Sequence, residues 1–339
     1  MEPSQIDAAL AEIARPYADR RVNIFDVTTA GFEGNTLFLQ GRVLEEAQLR
    51  ALQAGLEQRL PGLQLDLREV AVARTAATRR MVVSTNLTSV HDGTSFLAEQ
   101  VTQMLNGVPV DVLWEQDRWG FVRQPDGYLG WTYLPYLSEG QAPETTHLVI
   151  SPVTPLREGQ NTKTVILNRV LGGTFVRVEE TGAEWSRLVL AGGGQGWIPT
   201  GHLRALSDLP QDPAARRAQL AHDALNMIGV PYLWGGCSAN GIDCSGYAQL
   251  LHRWIGITIP RDADMQFSAG KQVEPSFEAG TLLFFGEQGE KRRITHVGIS
   301  LGGWQIIHSS RSRNGVQVDD VQAVPHLRDS FLCAATYIG

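Results

Sequence analysis

Two segments of the chain share one pattern, and that repeat limits the fold more than any other feature. Residues 108–137 read "VPVDVLWEQDRWGFVRQPDGYLGWTYLPYL", and residues 174–203 read "TFVRVEETGAEWSRLVLAGGGQGWIPTGHL". Each starts with a β-rich run and an acidic turn. A tryptophan (Trp119, Trp185), a second strand and a glycine turn follow, then a Gly-Trp pair (Trp131, Trp197) and a final leucine. Short strands at even spacing with turn signals make small barrels. Residues 74–206 are therefore expected to be all-β, split at about 140 into two barrels.

The flanks have other periods. In residues 1–73, "RVNIFDV" and "NTLFLQGRV" read as strands around a turn containing Gly31 and Gly34. Leu44, Leu49, Leu52, Leu56 and Leu60 then fall at helical spacing, and "PGLQLDLREVAV" alternates like a strand. A polar connector, "SDLPQDPAARRAQL", opens a final domain over 207–339, whose first helix ends before Gly229-Val230-Pro231. The expected class is multidomain α+β, with domains at 1–73, 74–140, 141–206 and 207–339.

Composition excludes some functions. The net charge of −7 argues against a sequence-independent grip on nucleic acid. No run approaches the ~18 apolar residues of a membrane span. The start, "MEPSQIDAALAEIARPYADRR", is charged and amphipathic, without a basic segment followed by an apolar core. A cytoplasmic protein is expected, or a periplasmic or extracellular one if the chain is already processed. Cys237, Cys244 and Cys333 are too few, and odd in number, for a disulfide framework.

One cysteine has the context of a nucleophile. In "GIDCSGYAQLLHRWIG", Tyr247, Leu250, Leu251 and Trp254 follow helical spacing, and Asp243 fits the N-cap. Cys244 then sits in the first turn, where free backbone N–H groups and the helix dipole favour a thiolate. Gly246 would leave room for a substrate at the helix start. The partner base is sought in "RITHVGISLGGWQIIHSS", which reads as a hairpin around Gly302-Gly303. With a three-residue loop at 301–303, His296 faces His308 directly, and Val297 pairs with Ile307 on the buried face. A Cys–His–His triad follows, with His296 as base and His308 as its orienter. A zinc site from Cys237, Cys244, His296 and His308 is the competing use of these residue types, but C-x6-C lacks the tight C-x2-C loop. Cys237 reads otherwise as a spectator thiol, with a regulatory disulfide to Cys244 as an alternative.

The motifs "PYLWGG", "DCSG", "IPRDADMQ", "GTLLFF", "THVGI" and "IIHSS" make the last domain resemble the NlpC/P60 family of cysteine peptidases, which have a papain-like core. The repeated segments resemble bacterial SH3 domains. Residues 1–73 weakly resemble the BON fold, a small α/β module, and are read as an accessory or docking domain. The whole chain is similar to the γ-D-glutamyl-L-diamino acid endopeptidases of that family. The resemblance implies cleavage between D-Glu and a diamino acid, diaminopimelate or lysine, in cell-wall peptides with a free N-terminal L-Ala, such as L-Ala-γ-D-Glu-diaminopimelate. It implies no metal or other cofactor, and a monomer is expected.

The same resemblance assigns substrate-lining roles to Tyr232, Trp234, Asp243, Ser245 and Asp262. It gives Glu99, in "SFLAEQVTQMLNGVPV", a role in binding the substrate amine. It gives Tyr133, or as second choice Tyr128, a place in the wall of the site. Physically, Glu99 and Asp262 could hold an ammonium, and Tyr232 with the Cys244 N–H could form an oxyanion hole. Asp262 could instead cap the helix "ADMQFSAG". Ala263 departs from relatives with serine there, which removes one substrate hydrogen bond. Two other classes stay open: a cell-wall-binding protein with an inactive peptidase domain, and an acyltransferase on the same fold.

Overall fold

The computed structural model describes residues 3–140, 142–289 and 292–339. Its contacts divide the chain into two compact units, one running to Met81 with Val110–Leu134, the other comprising Val82–Pro109 and Pro135–Gly339.

In the first unit the amphipathic N-terminus is a helix, Pro3–Ala14. Strands Phe25–Glu33 and Thr36–Val43 pair antiparallel, and Gln64–Val72 joins the second in parallel. The turn is Gly34-Asn35 alone. Gly31 lies inside the first strand at a register shift, which corrects the expected turn. Between the last two strands runs the helix Glu46–Arg59, started by a capping box between Glu45 and Gln48. Leu52 and Leu56 of this helix and Ile6, Leu10 and Ile13 of the first meet Leu37, Leu39 and Val43 in one core. The same unit holds a meander of strands Pro109–Gln116, Trp119–Arg123 and Leu129–Tyr133. Its Trp114 stacks on Phe121 and lies under the Arg42 guanidinium.

In the second unit a seven-stranded antiparallel sheet spans residues 147–205. The repeat is visible in its register. Trp185 opposes Pro199 and Arg187 opposes Trp197, just as Trp119 opposes Tyr133 and Phe121 opposes Trp131 in the meander. A further sheet of this unit has six antiparallel strands, in the order Lys271–Gln272, Phe331–Thr336, Leu282–Glu287, Arg293–Gly302, Gln305–Ser310, Gly315–Asp320. Helix Cys244–Trp254 is packed into the main core with Phe284, Val297, Ile299 and Ile307 of this sheet.

Two glycines set how closely the seven-stranded sheet approaches that helix. A Cβ on Gly172 would lie 2.6 Å from the Trp254 ring, and one on Gly173 would lie 2.5 Å from a Leu250 methyl. A buried ion pair, Arg204 with Asp223 of helix Pro213–Leu225, adds a polar tie, and Arg204 also donates to the Trp254 carbonyl. Among the described residues no helix is long and apolar enough to cross a membrane.

Candidate active site

The site is built on the first turn of helix Cys244–Trp254. Asp243 caps it, accepting from the Gly246 N–H at 2.7 Å, as its sequence position predicts. The carboxylate does much more. It accepts from the Gly235 N–H at 2.9 Å and from Arg261 Nη2 and Nη1 at 2.6 and 3.1 Å. Ser245 Oγ also turns to it, 3.3 Å away, and accepts from Arg261 Nη1 at 2.9 Å. Asp243, Ser245 and Arg261 are all buried. With these donors around it the Asp243 carboxylate is already filled. Asp243 and Ser245 thus hold the loop and helix together at the mouth of the helix. The bare face of Gly246 is also taken, because a Cβ there would lie 2.2 Å from the Gly236 carbonyl. The glycine serves a backbone crossing and leaves no room for substrate.

The two histidines come together, by a different register than expected. The hairpin closes with Gly302 opposite Gln305, and a bulge follows between Ser300 and Gly302. Ile299 therefore pairs with Ile307, and continuing the register puts Gly298 opposite His308. A Cβ on Gly298 would indeed touch the His308 Cβ, at 3.4 Å. His296 reaches His308 diagonally, Nε2 to Nδ1 at 2.6 Å. A two-residue turn plus one bulged residue keeps the two rings on one face, where a three-residue loop had been expected to set them directly opposite. The strand Gly315–Asp320 adds a residue that sequence reasoning missed: His308 Nε2 lies 3.0 Å from Asp319 Oδ2. The spacing that reveals it is the pairing of His308 with Gln317, two residues away on the same face. Ser309 donates to the Ile242 carbonyl at 2.6 Å, fastening the histidine strand to the loop that leads into Cys244.

The electrostatics reverse one expectation. Burial, then the Asp243 charge, push the Cys244 thiol up to about 12. The N–H groups of Val297 and Ser245 and the Arg261 charge oppose the rise without cancelling it. Desolvation at the helix start outweighs the helix dipole. Burial, then His308, hold His296 down at about 3. Burial also keeps His308 below its ordinary value despite Asp319. The resting state is a neutral thiol beside neutral imidazoles. Burial and the neighbouring Cys244 raise the Tyr232 phenol, which stays an O–H donor.

Of the other predicted residues, Glu99 and Trp234 are brought together: the indole N–H donates to Glu99 Oε1 at 2.7 Å. The hairpin of Leu87–His91 and Gln100–Leu105 carries Glu99 in its loop. It is fastened to the catalytic domain by Gln100 to the Trp234 carbonyl, by Arg261 Nε to Thr102 Oγ1, and by Gln103 to Cys237. Asp262 stands at the N-cap of helix Ala263–Ala269 but gives it no side-chain cap bond, which corrects the capping alternative. Tyr133 belongs to the first unit, where its ring meets Trp119 and the Arg118 guanidinium; Tyr128 is buried there. The Cys237 thiol donates to the Gln103 carbonyl, and all three cysteines are free. Among the described residues no group of three or more His, Cys, Asp or Glu is arranged to hold a metal ion.

A thiol at a helix start, packed against a sheet that carries two linked histidines, is the arrangement a cysteine hydrolase needs. Comparison with known proteins gives the family. Residues 229–333 match the NlpC/P60 family, and residues 90–132 match the bacterial dipeptidyl-peptidase SH3 domain. The chain is 30% identical to the gamma-D-glutamyl-L-lysine dipeptidyl-peptidase of Bacillus subtilis, over 64% of this chain and 74% of that one. It is 27% identical to dipeptidyl-peptidase 6 of Lysinibacillus sphaericus, over 71% and 92%. A crystal structure of an NlpC/P60 family protein from Bacillus cereus shares the fold, with a TM-score of 0.67 at 22% identity, covering 77% of this chain and all of that one. The chain belongs to the NlpC/P60 family.

Proposed function

We propose that the chain is a cysteine endopeptidase that cleaves the γ-D-glutamyl–diamino acid bond of cell-wall peptides with a free N-terminal L-Ala. The observation that carries this reading is the His296–His308 pair held on the sheet that packs against the helix headed by Cys244. The name and coverage of the Bacillus subtilis relative support the γ-D-glutamyl part.

In this mechanism Cys244 Sγ attacks the γ-carbonyl carbon while its proton passes to His296. Because the thiol is held high and the imidazole low, the transfer accompanies attack and no stable thiolate precedes it. The carbonyl oxygen takes the negative charge, met by the Cys244 N–H and the Tyr232 O–H. His296 then protonates the amine of the diamino acid, the C–N bond breaks, and a thioester remains. Water, deprotonated by His296, hydrolyses the thioester and frees the thiol. Glu99, steadied by Trp234, and Asp262 bind the ammonium of L-Ala. We read residues 74–140 and 141–206 as two SH3-like barrels and residues 1–73 as a BON-like accessory domain.

Incubation with L-Ala-γ-D-Glu-diaminopimelate and with its lysine analogue, read by mass spectrometry, tests the reading. Release of L-Ala-D-Glu from either by the wild type, and none by Cys244→Ala, is expected. If the wild type leaves both intact, the proposal is wrong.

A further inference from the structure

We propose that Asp319 sets the tautomers of both histidines and thereby leaves His296 Nδ1 as the bare nitrogen that takes the thiol proton. The assignment follows from donor and acceptor counting along the row. An ionised carboxylate only accepts, so His308 Nε2, 3.0 Å away, must carry a hydrogen. A neutral imidazole then has a bare Nδ1. That atom lies 2.6 Å from His296 Nε2, which must therefore donate. His296, also neutral, is left with one lone pair, on Nδ1. If Asp319 were absent, the opposite set of tautomers would satisfy the His–His hydrogen bond equally well and place a hydrogen on His296 Nδ1.

Asp319 is itself held. Gln317 Nε2 donates to its Oδ2 at 2.9 Å, and Arg313 Nη2 approaches Oδ1 at 3.4 Å. It occupies the same face as His308 because Ile306 pairs with Asp319 and His308 with Gln317. Among the described residues, the charged and titratable groups that act on the imidazole pair are Asp319 and Arg313 from the strand and its preceding turn, and His326 from helix Pro325–Ser330. Asp319 is the one anion among them. When His296 accepts the thiol proton, its Nε2–H still points at His308, and Asp319 stabilises the charge through that bond. It acts only through His308 and is a positioning residue.

This inference rests on the proposed hydrolysis, but its first test does not use activity. Nitrogen-15 NMR of histidine-labelled wild-type protein should show His296 and His308 both protonated at Nε2 and bare at Nδ1. Protonation of His296 at Nδ1 would overturn the proposal even if peptide is cleaved. The second test is kinetic. Asp319→Asn should lower kcat by roughly 10- to 100-fold, the usual effect of losing such a partner, with KM within about threefold. The acid limb of kcat/KM should move to lower pH by roughly a unit or more, because loss of the anion makes the pair harder to protonate. Asp319→Glu should recover part of the rate and of the limb. An unmoved limb with full kcat in folded Asp319→Asn would sink the relay. A wild type that cleaves nothing would instead refute the function and leave the NMR result standing.

Discussion

Arg261 holds Asp243 by both ends of its guanidinium, with Nη2 at 2.6 Å from one carboxylate oxygen and Nη1 at 3.1 Å from the other. Both side chains are nearly sealed from solvent, at 2% and 6% exposed. Removing one partner of such a pair strands a buried charge, which typically costs about 3–5 kcal/mol. Arg261→Ala should therefore lower the unfolding free energy of this unit by about that amount, measured in denaturant. Arg261→Lys keeps the charge but loses the fork, and should fall between. A loss under about 1 kcal/mol for the alanine variant would show that the pair does not organise the helix start.

The amine clamp proposed for Glu99 and Asp262 predicts which peptides are accepted. Stems whose L-Ala nitrogen is an amide cannot pair with Glu99 and Asp262. Losing the ammonium from these carboxylates should cost roughly tens- to thousands-fold in kcat/KM. The comparison is L-Ala-γ-D-Glu-diaminopimelate against its N-acetylated form, in wild type and Glu99→Gln. Acetylation should hurt the wild type strongly and Glu99→Gln much less. A wild-type difference within about threefold rules the clamp out.

The two histidines should not be equal. In the proposed mechanism His296 handles the proton and His308 orients it, so His296→Ala should lose more kcat than His308→Ala. Steady-state rates of the two variants, with circular dichroism to establish folding, decide this. Equal or reversed losses mean the roles are exchanged.

His252 should make the fold acid-sensitive. It is fully buried, donates from Nδ1 to the Ala248 carbonyl, and has no partner at Nε2 among the described residues. Burial holds it down at about 4, against an ordinary 6.5. Above pH 6.5 neither folded nor unfolded chain protonates it. Between 6.5 and about 4 the unfolded chain gains a proton that the folded chain refuses, so stability falls as pH falls. The loss is about 1.4 kcal/mol per pH unit, or about 2 kcal/mol by pH 5. His252→Phe should remove that share of the acid dependence, seen as a flatter stability–pH curve. A parallel curve would refute the assignment.

Local signals carried much of this molecule. The spacing of Tyr247, Leu250, Leu251 and Trp254, with Asp243 as cap, is enough to place Cys244 at a helix start. The paired tryptophans foretell matching hairpin registers. What stayed illegible depends on contacts between distant residues. Arg261 looks like one residue of a motif until the fold sets it against Asp243 and Thr102. Asp319 is one acidic residue in "VQVDD" until the strand register brings it to His308. The raised thiol was hidden for the same reason, because helix position is local but burial is the sum of everything packed above it. The hairpin pairing was misread by two residues, which keeps the face, since two glycines in a row allow more than one place to turn.

That bulge also fixes which side chain the strand presents on each face. Val297 and His296 are adjacent and point to opposite faces, Val297 into the core and His296 to His308. Pulling the extra residue into a regular ladder would slide the strand by one step, turn His296 inward and present valine to the substrate. A change of residue type on this strand leaves His296 on its face, whereas removing the one bulged residue would exchange the two faces of the strand.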